Sequence, residues 1–180
     1  SVGYYSLYGN TSGDNNIGVG RNVLQVNTSG SANIGVGECV LRFNTTGNEN
    51  IGIGSCALRS NTVGYNNIAF GTNSLCGNIG GDYNIAMGVN ALLRNEGGNN
   101  NIAMGTNALF HNDNAGNNVA IGNGALNNIT GTSSGENVAI GYNAMKLSTG
   151  GYENVAIGMN TLCSNTTGDD SIAIGKNALC

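Results

Sequence analysis

Apolar and polar positions alternate along the 180-residue chain with a fixed beat. Ile or Val is followed by one small residue, then by Val, Ile, Met or Phe, then by glycine. Ile17-Gly18-Val19-Gly20 and Ile102-Ala103-Met104-Gly105 are two examples. The closing glycines are Gly3, Gly20, Gly37, Gly54, Gly71, Gly88, Gly105, Gly122, Gly141, Gly158 and Gly175, spaced by 17 residues except for the 19 between Gly122 and Gly141. Large–small–large is a period of two, so each repeat predicts one short strand. Four places past the glycine stands Leu or Met, from Leu7 to Leu179, which predicts an extended corner carrying another large side chain inward. The remainder, typified by Asn165-Thr166-Thr167-Gly168, is turn chemistry, because Asn and Gly tolerate positive φ.

Self-similarity at this period predicts a stacked array and a single repeat domain over residues 1–180. One coil buries too little apolar surface to offset the ordering of its backbone, so coils must stack in register. The fold class expected is all-β: a parallel β-solenoid of about ten coils, at ~4.8 Å per coil. The two-residue insertion at Gly131–Gly135 is expected in a turn, leaving the strand phase intact. The chain opens and closes inside a repeat, which reads as a segment of a longer fibre.

Asparagine recurs four places before the glycine (Asn16, Asn33, Asn50, Asn67, Asn84, Asn101, Asn118, Asn137, Asn154) and often two places after it (Asn22, Asn73, Asn90, Asn107, Asn143, Asn160, Asn177). Stacked amides at either phase predict a hydrogen-bonded ladder. The small residue inside each strand is Gly18, Gly35, Gly52, Ala69, Ala86, Ala103, Ala120, Ala139, Ala156 or Ala173. If the flanking large residues fill the coil, this column points outward, where ten small residues in succession imply a close-packed contact between identical chains. A homotrimer, able to stack into a filament, is the assembly expected. The alternative is a single-chain coil with the small column against its own opposite wall and the large residues outside, which exposes an apolar stripe and also demands a partner.

The phrase Asn-Thr-Thr-Gly-x-x-Asn-Ile-Ala-Ile-Gly-x-Asn-Ala-Leu, nearly whole in residues 44–58 and 165–179, resembles the repeats of phage and bacterial tail-fibre-type proteins. More loosely it is similar to the head repeats of trimeric autotransporter adhesins, which are trimeric left-handed β-rolls with shorter repeats. The resemblance covers essentially the whole chain and implies a rigid trimeric surface fibre. The 17-residue period and the cysteines depart from the adhesin pattern.

Composition narrows the function classes. Charged residues make up 9% of the chain and the formal net charge is −4, with six Lys/Arg spread singly, so nucleic-acid binding is not expected. No apolar run approaches the ~20 residues of a membrane-spanning helix. Cys39 and Cys56, and likewise Cys163 and Cys180, lie 17 apart at matching phases, which predicts two axial disulfides suited to an extracellular, cell-surface or virion location. Cys76 lacks a same-phase neighbour and reads as a free thiol. Sequons begin at Asn10, Asn27, Asn44, Asn128 and Asn165; glycosylation there would coat the filament, and turn chemistry is the plainer reading.

His111 is the only histidine, which leaves no His-based triad or cluster. Asp14, Asp82 and Asp169 share one phase but sit in scattered coils. No enzyme, cofactor or metal is expected. The leading expectation is a structural fibre segment that spaces or presents an attachment tip. The alternatives are an adhesin module binding a glycan or cell-surface receptor, for which Tyr4, Tyr5 and Tyr8 form an aromatic cluster, and a glycan-coated filament.

Overall fold

The computed structural model describes residues 1–130 and 135–180; residues 131–134, which hold most of the insertion, lie outside the described part. The chain winds into a parallel β-solenoid. In chain order the strands are β1 (Ile17–Val19), β2 (Ile34–Val36), β3 (Ile51–Ile53), β4 (Ile68–Phe70), β5 (Ile85–Met87), β6 (Arg94–Asn95), β7 (Ile102–Met104), β8 (His111–Asn112), β9 (Val119–Ile121), β10 (Asn128–Ile129), β11 (Val138–Ile140), β12 (Val155–Ile157) and β13 (Ile172–Ile174). The three-residue strands form one ten-stranded parallel sheet in the order β1-β2-β3-β4-β5-β7-β9-β11-β12-β13, and β10-β8-β6 form a second, three-stranded one. Each strand pairs in register with its counterpart one coil on. Across the insertion Val119 still meets Val138, so the extra residues do not shift the strand phase.

Three left-handed positions per coil bend the chain back on itself. They fall two and four places after the glycine and five before it: Asn90 (φ 56), Leu92 (φ 51) and Asn100 (φ 58) in one coil. Asparagine takes this region at little cost, but a left-handed leucine costs roughly 1–2 kcal/mol. Leu92 is fully buried, and burial worth ~1.5–3 kcal/mol offsets that strain.

The interior reverses one expectation. The column Gly18, Gly35, Gly52, Ala69, Ala86, Ala103, Ala120, Ala139, Ala156 and Ala173 is buried inside the coil, while the flanking Ile, Val, Met and Phe face outward. It is therefore not an oligomer contact. The reason is width. Across each coil, the strand's small residue meets the side chain three places past the preceding glycine. A Cβ built on Gly52 would lie 2.6 Å from Cγ1 of Val40, and one on Gly35 would collide with Cγ1 of Val23. Where that opposite residue shrinks to Ala57, Ser74, Ala91, Ala108, Ala125 or Ala144, the strand residue grows to alanine; the end coils depart from this, with Gly18 against Ser6 and Ala173 in the coil after Thr161. Through the middle coils the pair keeps a near-constant volume, as close packing requires.

Polar columns complete the interior. Asn84 donates from its backbone N–H (2.9 Å) and from Nδ2 (3.1 Å) to Oδ1 of Asn67, and its Nδ2 also reaches the Gly98 carbonyl at 2.8 Å. The same bonds repeat from Asn33 to Asn101, and with small changes at Asn118 and beyond. The expected column two places after the glycine is bonded more sparsely, Asn73 to Asn90 and Asn90 to Asn107 at 3.2 Å each. A further ladder, seven places after the glycine, was not expected: Asn78 Nδ2 donates to Asn61 Oδ1 at 2.7 Å and to the Gly81 carbonyl at 2.9 Å. Because Asn67 Nδ2 donates to that carbonyl too (2.8 Å), the two inner ladders converge on one row of oxygens. Buried amides are costly unless paired, and here their donors and acceptors bond along the stack except at Asn112 Oδ1.

Candidate functional site

The outward side of the ten-stranded sheet is the principal surface feature. One column reads Ile17, Ile34, Ile51, Ile68, Ile85, Ile102, Val119, Val138, Val155, Ile172, and the other Val19, Val36, Ile53, Phe70, Met87, Met104, Ile121, Ile140, Ile157, Ile174. None of these positions is fully buried; Phe70 is 54% and Met104 38% exposed. Twenty consecutive outward positions carry no polar or charged side chain. Ten strands at about 4.8 Å, each three residues wide at about 3.3 Å, give a flat footprint on the order of 500 Å². A strip of that size matches the largest apolar patch of a typical monomer, about 300–600 Å², a kind of patch that is often functional.

The sequence carried a signal for this orientation in the Val/Gly and Ala/Ala exchange described above. The switch from glycine to alanine between Gly52 and Ala69 coincides with the switch from Val40 to Ala57 across the same coils. The exchange is incomplete, since Gly18 meets the small Ser6, so it becomes readable only once the two walls are known to face each other.

The sequon asparagines are placed by the seven-after ladder. Asn27 and Asn44 are fully buried, and Nδ2 of each is spent on the asparagine one coil below and on a glycine carbonyl in its own turn. Asn10 Nδ2 donates to the Gly13 carbonyl at 2.9 Å and Asn165 Nδ2 to that of Gly168 at 3.0 Å. A row of sugars on this phase is ruled out for the two buried positions, because the nitrogen that would carry the sugar lies inside the coil. Asn128 is half-buried on β10, outside the ladders.

The ladder has one break. Ile129 occupies its phase, and Asn112 Oδ1 on one side and Ser148 Oγ on the other are buried without a partner. Ile129→Asn should therefore change stability by less than about 1 kcal/mol, because satisfying a stranded acceptor (about 1–3 kcal/mol) offsets the lost apolar burial (about 1.5–3 kcal/mol). Leu126→Asn, with no stranded partner to satisfy, should cost more than about 3 kcal/mol. Urea unfolding midpoints of the two variants separate these outcomes, and equal losses would refute the account of the break.

Of the cysteines, Cys163 and Cys180 are joined, with Cα atoms 5.0 Å apart. Cys39, Cys56 and Cys76 are half-buried free thiols, so the expected Cys39–Cys56 disulfide is not formed in this structure. His111 lies on β8 with its ring stacked on Phe110 at 5.0 Å. Asp82 accepts from the Tyr65 backbone N–H at 2.9 Å and Asp169 from that of Tyr152 at 3.1 Å. Glu136, Glu153 and Asp170 stack at one phase in successive coils. The Glu153 carboxyl is pushed above its ordinary range, first by a side-chain hydrogen bond with Asp170 and then by that group's charge. Among the described residues no three His, Cys, Asp or Glu side chains gather as a metal site. Tyr4, Tyr5 and Tyr8 contact one another, with ring centroids 4.2 and 5.0 Å apart.

These features define a repeat protein with one long apolar sheet face. No protein-family model matches the chain, and neither does any curated protein or solved structure.

Proposed function

We propose that this chain is a structural segment of a rigid extracellular or virion fibre, in which identical chains, three to an axis, pack along their apolar sheet faces. The observation that carries the reading is the twenty-position apolar strip running the whole length of the sheet without a charge. At ~25 cal/mol per Å², covering the footprint contributes on the order of 12 kcal/mol per chain, or roughly 1.2 kcal/mol per coil. Association costs about 4–15 kcal/mol, so a few coils would not hold together and a long array would. A strip whose binding strength grows with length suits a fibre, and the 17-residue repeat is the unit by which such a fibre lengthens.

A second reading, an adhesin module for glycans or a cell-surface receptor, draws on the exposed tyrosines. Tyr65 and Tyr83 meet edge to face at 5.3 Å beside Asp82, a pairing of aromatic face and carboxylate that suits sugar rings. The two readings are compatible, since turns at the corners stay free when sheet faces pack.

Light scattering on the intact chain tests the assembly. A mass three times that of the chain is expected, and Met104→Glu should reduce it to a monomer with its β-sheet circular dichroism unchanged. A monomeric mass for the unaltered chain at micromolar concentration would overturn the proposal.

A further inference from the structure

We infer that Cys39 and Cys56 form a thiol–disulfide exchange site that closes a second crosslink between adjacent coils when a small-molecule disulfide is present. The inference is independent of the fibre reading. Both cysteines stand two places past a repeat glycine, in coils whose strands pair Val36 with Ile53. Their backbones take the same left-handed conformation, with φ of 55° and 59°, so their Cα–Cβ bonds run parallel one coil apart. Each is tied to the coil below, Cys39 N–H to the Arg21 carbonyl and Cys56 N–H to the Glu38 carbonyl, both at 2.9 Å.

Side chains at this phase reach across one coil. Asn73 bonds Asn90 at 3.2 Å, and Asn22 Nδ2 lies 3.9 Å from Cys39 Sγ. In-register stacking at about 4.8 Å places the two Cα atoms within the span a disulfide bridges, so closure asks only for side-chain rotation. At another phase Cys163 and Cys180 are already joined over the same 17-residue separation. Cys76 stands at a different phase, and burial, followed by the neighbouring Cys56, pushes its thiol up and lowers its share of reactive thiolate.

The chemistry balances with a low-molecular-weight disulfide as oxidant. One cysteine thiolate attacks a sulfur of the small disulfide, forming a mixed disulfide and expelling one small thiolate, which takes up a proton. The second cysteine thiolate attacks the protein sulfur of that mixed disulfide, forming the Cys39–Cys56 bond and expelling the second small thiol. Two protein thiols lose two electrons and the small disulfide gains them.

Trypsin separates the participants, because cleavage after Arg21, Arg42, Arg59 and Arg94 leaves Cys39, Cys56 and Cys76 on peptides 22–42, 43–59 and 60–94. The folded chain is incubated with oxidised glutathione, alkylated, digested and analysed by mass spectrometry. Titratable thiols should fall from three to one per chain, with peptide 22–42 joined to 43–59 and Cys76 still alkylated. The same treatment in denaturant should scatter the pairings, and Cys39→Ser in the folded chain should leave peptide 43–59 carrying glutathione. The proposal is overturned if the folded chain leaves Cys39 and Cys56 alkylated or separately glutathionylated, or if Cys56 is found joined to Cys76.

Discussion

Replacing Ala103 by glutamate should unfold the array rather than merely separate one chain from another. Ala103 is fully buried and faces Ala91 across a coil too narrow for a larger side chain. Glutamate there would add four heavy atoms, ending in a carboxylate, to a space lined by alanine and leucine, with no buried cation among the described residues to pair it. The expected loss exceeds about 4 kcal/mol, combining overpacking with the burial of an unpaired charge. Met104→Glu, one residue on, puts the same charge on the outer sheet face, where it should cost under about 1 kcal/mol of folding stability. Chemical unfolding of both variants, followed by circular dichroism, decides between them. Similar losses would contradict the orientation of the strand.

The second large effect falls on the repeat glycine. Gly105 has φ of +130°, a region that residues with a Cβ rarely enter, and a Cβ built there would lie 2.7 Å from both the carbonyl carbon and oxygen of Gly122 in the next coil. Gly105→Ala should thus cost more than about 3 kcal/mol, since backbone strain adds to a clash that only separation of the coils relieves. Gly150→Ala is the comparison: its nearest neighbours would be 3.7 and 3.9 Å away, which is ordinary contact, and its φ lies outside the restricted region. That change should be neutral or stabilise by a few tenths of a kcal/mol through the unfolded chain. Thermal unfolding midpoints that moved equally for the two variants would remove the stacking role assigned to Gly105.

Much of the fold was legible before any coordinates. The glycine period located every strand of the large sheet, and the Asn67–Asn84 column was readable as a ladder because amides at one phase in a stacked array fall within bonding distance. Less legible was the seven-after ladder. Asn27 and Asn44 sit in Asn-Thr stretches that carry turn and sequon signals, and neither signal reports which way a side chain points. The Cys39–Cys56 pair has the same 17-residue spacing as Cys163–Cys180, yet only the latter is joined, so spacing established proximity without the covalent state.

The orientation of the strands was the main correction, and it moves the candidate surface from the alanines to the isoleucines. Alternation places Ile102 and Met104 on one side of a strand and Ala103 on the other, but alternation is symmetric between inside and outside. The usual tie-breaker, that larger apolar residues go inside, presumes a core roomy enough to take them.

By itself, then, the amino-acid sequence determined the repeat, the short strands, their in-register stacking and the set of residues that share each face. These follow from local chemistry repeated at a constant interval. Only the tertiary structure decided which face is interior, because that depends on the distance between opposite walls of one coil. With Val40 against Gly52 and Ala91 against Ala103, the coil leaves room for the small residues and turns the large ones toward whatever lies beside the chain.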